Sequence, residues 1–192
     1  MNTADRKKEI VDAALGLISE LGIQELTMKR IAAAVGVSEP AIYRHYASKS
    51  DILAAVVDEM ELSRLKALGE ARSAGKGPEE TLTAFFMMHA GLFLRRPAMT
   101  TVLFSEDLFR NDGELLSRVG AIMTGTQAAI RTELEKGRGR GEFRDDLDPE
   151  SASLMLVGGF RLLVANWRME GGAPDLSLRT ERYIVGALRL FK

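Results

Sequence analysis

Apolar residues recur along this chain at intervals of three and four, and no run alternates in twos for long enough to make a sheet. That period predicts an all-α protein of about nine helices. The first helix runs from about Asp5 to Leu21, with Ile10, Ala14, Leu17, Ile18 and Leu21 on one stripe and Gly22 at its end. Two short helices follow. Thr27 is an N-cap, Ile31 and Val35 lie four apart on one face, and Gly36 falls where the chain must reverse sharply. Ser38 caps the next helix, whose first turn accommodates Pro40, while Ile42 and Tyr46 point back toward the helix before. Ser48-Lys49-Ser50-Asp51, with Asp in place of the usual Glu or Gln, resembles a capping box for a long fourth helix carrying Ile52, Leu53, Val56, Val57 and Met60.

Gly75-Lys76-Gly77-Pro78 breaks the pattern, and a helix from about Glu79 to Arg95 follows, terminated by Pro97. A short helix from Met99 to Phe109, a turn at Asn111-Asp112-Gly113 and a long helix from Glu114 to Lys136 come next. Gly137-Arg138-Gly139-Arg140-Gly141 is too short for a disordered Arg-Gly tract that binds RNA and reads as a helix stop with a flexible turn. Asp148-Pro149-Glu150 starts another helix, and the last spans about Ser177 to Phe191. The organisation expected is a small three-helix domain over residues 1–50 and a larger helical one over 51–192.

The two short helices form a compact reader of DNA, since Glu39, Pro40, Tyr43 and Arg44 share the outer side of the second. Ile31-Ala32, Gly36-Val37-Ser38, Tyr43-Arg44-His45-Tyr46 and Lys49 resemble the amino-terminal signature of tetracycline-repressor (TetR) family regulators. Tyr46 departs from the family pattern, which usually has Phe there. The resemblance implies an N-terminal helix-turn-helix DNA-binding domain and a C-terminal domain for effector binding and dimerisation. It also implies Arg44 at base edges, Tyr43 at a base or phosphate, Thr27, Lys29, Ser38, His45 and Lys49 at phosphates, and close apolar approach of Pro40 and Ala41. Glu39, facing DNA, either accepts from a cytosine amino group or repels phosphate, which leaves three open roles: tuning specificity, pairing with Arg44 or Lys49, or contributing nothing.

Charge adds little to this picture, because residues 1–50 hold seven Lys/Arg against six Asp/Glu in a chain of net charge −1. What counts is whether Arg6, Lys7, Lys8, Lys29, Arg30, Arg44, His45 and Lys49 gather on one side or simply make a solvated helical surface. The absence of cysteine excludes disulfides, a thiolate nucleophile and Cys-ligated metal, and the charged start MNTADRKKEI leads into no apolar signal segment, so a cytoplasmic protein with no membrane partner is expected. With two histidines, no paired-ligand spacing, no P-loop and no dinucleotide fingerprint, neither an enzyme nor a metal or cofactor site is expected. A metal would need His89 to recruit carboxylates such as Glu106 or Asp107 from another helix.

The stretch LMLVGGFRLLVANW is apolar on nearly every face, yet Arg161 and Asn166 interrupt it and it is too short to span a bilayer. Gly158 and Gly159, each costing a helix about 1 kcal/mol, point to close approach of another backbone. That backbone belongs to a partner subunit or to the chain's own core. Leu154, Gly158 and Arg161, with Ile184, Val185, Leu188 and Phe191 on the last helix, resemble the family's two-helix dimer surface. Phe86, His89, Phe93, Met123, Gln127, Met155, Asn166 and Trp167 are candidates to line an effector site, or are core residues that satisfy one another. The function expected is a homodimeric repressor that binds double-stranded operator DNA and is released by a small apolar effector. The alternative is an effector-independent, architectural or chromosome-organising DNA-binding dimer.

Overall fold

The computed structural model describes residues 2–73, 77–105, 112–172 and 175–192 of the protein. Every regular element among them is helical: α1 (Thr3–Leu21), a 3-10 turn (Ile23–Glu25), α2 (Met28–Val35), α3 (Glu39–Tyr43), α4 (Lys49–Ser73), α5 (Pro78–Arg95), α6 (Ala98–Phe104), α7 (Gly113–Gly139), α8 (Pro149–Met169) and α9 (Leu176–Arg189). The expected continuation of the sixth helix to Phe109, the turn residue Asn111, Gly75 and Lys76, and the candidate ligands Glu106 and Asp107 lie outside the described residues. No helix among the described residues is long and apolar enough to cross a membrane.

Two compact units emerge. The first contains residues 1–62 and 96–120, so α1–α3 share it with the first part of α4, with α6 and with the start of α7. Asn2 caps α1 in a reciprocal box, accepting the Asp5 N–H at 2.9 Å while the Asp5 carboxylate takes the Asn2 N–H at 3.3 Å. The buried stripe of α1 is Ile10, Val11, Ala14, Leu15 and Ile18, whereas Leu17 is half-buried and Leu21 exposed. This differs from the expected stripe because α1 packs against both α2 and α6, which calls for a wider arc than one neighbour would. Arg96, just before α6, bonds Asp12 of α1 at 2.9 Å and Glu59 of α4 at 2.7 Å. Arg118 holds Asp58 of α4 at 2.6 Å and Glu114 of its own helix at 2.8 Å.

The second unit contains residues 63–95 and 121–192, with α9 packed on α5 and α8. Phe86 meets Phe160 edge-on at 5.2 Å between centroids, and Phe93 stacks on Phe160 at 6.1 Å. Asp148 caps α8 by accepting the Ser151 N–H at 3.1 Å, and Asp175 caps α9 through the Ser177 N–H at 2.9 Å. The glycine-arginine tract is a built turn. α7 runs through Gly137, where a Cβ would come within 2.3 Å of the buried Phe143 ring, and Gly141 closes the turn at φ +71°. Near the end of α7 the carboxylate of Glu133 is buried but satisfied, by Arg72 at 2.8 Å and Lys136 at 3.0 Å.

Candidate nucleic-acid interface

The reader is built from its caps inward. The Thr27 hydroxyl accepts the Arg30 N–H at 3.2 Å, which starts α2, and Gly36 at φ +76° ends it. The N–H groups of Gly36 and Val37 then close on the carbonyls of Ala33 and Ala32, at 3.2 and 3.0 Å, in a left-handed C-cap that a side chain would strain. Ser38 stands at the start of α3 in an extended conformation, but its hydroxyl accepts no helix N–H; the Ser38 carbonyl alone takes the Ala41 N–H at 2.9 Å. Ile31 and Ile42, fully buried, set α3 against α2. Ser48 caps α4 by accepting the Asp51 N–H at 3.1 Å, so Lys49 falls in the first turn of that helix.

This packing leaves Pro40, Tyr43 and Arg44 exposed on α3, with Glu39 and Ala41 half-buried, and leaves Thr27 and Lys29 exposed on the approach to α2. His45 and Lys49 are half-buried. The Nδ1 atom of His45 is sealed from solvent with no hydrogen-bond partner. A phosphate contact would therefore fall to its Nε2. Three of the expected cations are already engaged: Arg6 with Glu9 at 2.7 Å, Arg30 with the Glu25 carboxylate and carbonyl, and Lys7 over the Tyr46 ring at 5.3 Å. Among the described residues no carboxylate lies within 4 Å of Lys29, Arg44 or Lys49. Glu39 pairs with neither Arg44 nor Lys49. Among the described residues its one side-chain partner is the Tyr43 hydroxyl, which donates to it at 3.5 Å. Burial, and then Asp58 and Glu59 nearby, push the Tyr46 phenol above its usual value.

A family model described as bacterial regulatory proteins of the tetR family matches residues 10–56, and one for the C-terminal region of YsiA-like protein matches residues 45–185, most of the chain. The chain belongs to the TetR family of transcriptional regulators. Among the relatives of this TetR-family regulator is the nucleoid occlusion factor SlmA of Actinobacillus pleuropneumoniae, 28% identical over 145 residues that cover 74% of this chain and 72% of that one. The SlmA of Salmonella dublin is 29% identical over 137 residues, covering 71% and 69%. The fold is also that of the regulator FadR from Bacillus subtilis in complex with stearoyl-CoA, with TM-score 0.80, 24% identity and 96% of each chain covered. PfmR from Thermus thermophilus superposes with TM-score 0.81 at 22% identity, over 94% of this chain and 97% of that one.

The structure scatters the candidate effector residues of the TetR-family regulator. Phe86 and Phe93 sit in the aromatic core with Phe160. His89 hydrogen-bonds through Nδ1 to the Phe85 carbonyl at 2.8 Å and borders a groove of about 450 Å³ with Ser63, Lys66, Met88, Leu92 and Arg95. Burial pushes its imidazole below the ordinary value; the Phe85 carbonyl opposes that shift and Arg64 adds to it. Met123 is half-buried, and Gln127 reaches the Glu150 carboxylate at 2.9 Å. Met155 and Asn166 lie on the exposed face of α8, whereas Trp167 is buried with its Nε1 unpartnered. No group of three or more His, Asp or Glu among the described residues is placed to hold a metal ion.

The dimer candidates divide cleanly. Leu154 (61% exposed) and Gly158 lie on the outer face of α8 with half-buried Arg161 beside them, but Ile184 and Leu188 (both 0% exposed) and Phe191 are buried inside the protomer. On α9 the residues without a polar side chain that face outward are Leu178, Val185 and Gly186, of which Val185 was expected on this surface, and on α8 Leu162 and Met169 extend the same face. The i, i+4, i+8 spacing of Leu154, Gly158 and Leu162 was the signal for this outer row. Of the two adjacent glycines, Gly158 has nothing within 4 Å of an added Cβ. Gly159 is met by the side chain of Tyr183, not by another backbone: a Cβ there would come within 2.4 Å of the hydroxyl.

Proposed function

We propose that this protein is a homodimeric repressor that reads operator DNA with α3 and is released by a small apolar effector bound in its second unit. The observation that carries the reading is the exposed surface of α2 and α3, where, among the described residues, Lys29 and Arg44 have no carboxylate within 4 Å and Tyr43 makes only a long contact with Glu39, at 3.5 Å, so little in the protein competes with DNA. Arg44 reads a base edge, Tyr43 a base or phosphate, and Thr27, Ser38, His45 and Lys49 position the backbone. Pro40 and Ala41 permit close approach. The exposed apolar row Leu154, Leu162 and Met169 with Leu178 and Val185 supports dimerisation through α8 and α9. The likeness in fold to a regulator in complex with stearoyl-CoA supports a ligand with apolar character. Its binding must favour the protomer arrangement that fits the operator less well, since equal affinity for both arrangements regulates nothing.

Selection of bound duplexes from a random pool, at two salt concentrations and with Arg44→Ala alongside, tests this. A two-fold symmetric site that the variant loses is the expected result. A second reading is favoured by the likeness to SlmA: a chromosome-organising dimer without an effector. Binding at many symmetric sites that no apolar ligand releases, together with a melting temperature that no such ligand raises, would select it.

A further inference from the structure

We propose that Glu39 makes this regulator select cytosine at the base pair met by the first turn of α3. The inference rests on α3 being the helix that enters the major groove. Glu39 sits in that first turn beside Pro40, whose ring fixes the backbone there, and one turn before Tyr43 on the same side. Among the described residues it has no cation within 4 Å; its one side-chain partner is the Tyr43 hydroxyl at 3.5 Å, which engages Oε1 and leaves Oε2 unengaged.

A carboxylate carried into the groove in this state loses water and gains no protein charge in exchange. Only a donor on a base edge can compensate it. Guanine offers N7 and O6 and thymine offers O4, all acceptors that repel it, so the available donors are the amino groups of cytosine and adenine. Adenine presents its amino group beside N7, which opposes the second carboxylate oxygen; cytosine presents its amino group beside a C–H edge. Cytosine is thus the base that an unneutralised glutamate accepts. The same charge repels phosphates at every sequence, so Glu39 lowers affinity for DNA in general and raises discrimination at one position.

The test is parallel duplex selection by the full chain, by Glu39→Gln and by Glu39→Ala, with melting curves to establish that the half-buried surface position leaves the fold intact. Wild type is expected to enrich cytosine at one position of each half-site, by about 5- to 150-fold over the other bases. Glu39→Gln moves that preference to adenine, whose N6 and N7 suit a carboxamide. Glu39→Ala loses the preference at that position alone while binding unrelated duplexes more tightly. If Glu39→Ala keeps every base preference and gains affinity uniformly, Glu39 only repels phosphate and the proposal fails, with α3 still the reader. If wild type enriches no sequence at all, the proposal falls together with the reading of α3 on which it rests.

Discussion

Replacing Gly159 by alanine tests the packing of α8 on α9 quantitatively, because two effects of known size oppose each other there. Alanine inside a helix is favoured over glycine by about 1 kcal/mol. Against this, the new Cβ would lie 2.4 Å from the Tyr183 hydroxyl and 2.8 Å from two ring carbons, well inside van der Waals contact. Tyr183 cannot yield cheaply, since its hydroxyl is within hydrogen-bond distance of the Met155 and Leu156 carbonyls, at 3.0 and 2.9 Å. Displacing it loses a hydrogen bond of about 1 kcal/mol and disturbs ring packing by about 1–2 kcal/mol. A further cost of up to about 1 kcal/mol comes from distorting α8 or α9. The gross cost of about 2–4 kcal/mol exceeds the propensity gain, so Gly159→Ala destabilises by about 1–3 kcal/mol. At about 2–4 °C per kcal/mol for a chain of this size, the melting temperature falls by roughly 2–12 °C. In a Tyr183→Ala background the obstruction is gone and the same change stabilises by about 1 kcal/mol, a coupling of about 2–4 kcal/mol in the double-mutant cycle. The assay is thermal and urea unfolding at one fixed protomer concentration, because association shifts the transition. A Gly159→Ala protein that melts higher than wild type would refute the reasoning.

Leu162→Glu is expected to yield a folded monomer by sedimentation that loses the symmetric site, whereas Ile184→Glu, at a fully buried position, prevents folding; a dimeric Leu162→Glu protein would exclude this face from the interface. Arg44→Ala should cost about 1–3 kcal/mol of binding and relax one base preference, while Lys49→Ala should weaken all sequences alike and make the salt slope shallower by about one; binding titrations at several salt concentrations separate the two. His89 has its folded pKa below the ordinary 6.5, so the unfolded chain takes up the proton first. Its effect on stability is therefore flat above pH 6.5 and destabilising as pH falls below it, and urea midpoints at pH 8, 6 and 5 should show a slope that His89→Leu reduces. Arg96→Ala, which removes the grip on Asp12 and Glu59, should speed hydrogen exchange in α1 and in the first turns of α4 together; exchange confined to the loop around residue 96 would show that the ion pairs contribute little.

The helices were legible in the sequence because caps and glycine turns act over three or four residues. Thr27, Gly36, Asp148 and Ser48 each do the local task their chemistry suggests. Ser38 shows the limit: a hydroxyl at an N-cap need not make the cap bond when the helix has only five residues. What periodicity could not resolve is which neighbour an apolar face meets. Ile184 and Leu188 share a stripe with nothing to distinguish a partner subunit from α5, and the protomer's own core claims them. Gln127 and Asn166 lie on apolar-looking stripes yet end at the surface, where a polar group costs nothing. The Gly158-Gly159 pair suggested close approach of another backbone, but nothing lies within 4 Å of an added Cβ at Gly158, and at Gly159 it is a phenol that approaches; a phenol and a backbone leave the same mark in sequence.

The Arg96 grip and the placement of Met99 and Val102, both fully buried in α6, have a consequence for how such a protein can change over time. The unit that holds the reader closes its core with residues encoded after a long excursion of the chain, from Ser63 to Arg95, through the other unit. A gene fragment cut at the end of the recognisable motif would specify an incomplete core. The reader is therefore not a portable cassette: recombination that exchanges it alone separates Asp12 from Arg96 and the inner side of α1 from the α6 residues that close its core. On the proposed reading of α3, new operator preference comes by substitution on its outer side, at exposed positions such as Arg44, while the second unit is inherited together with the reader.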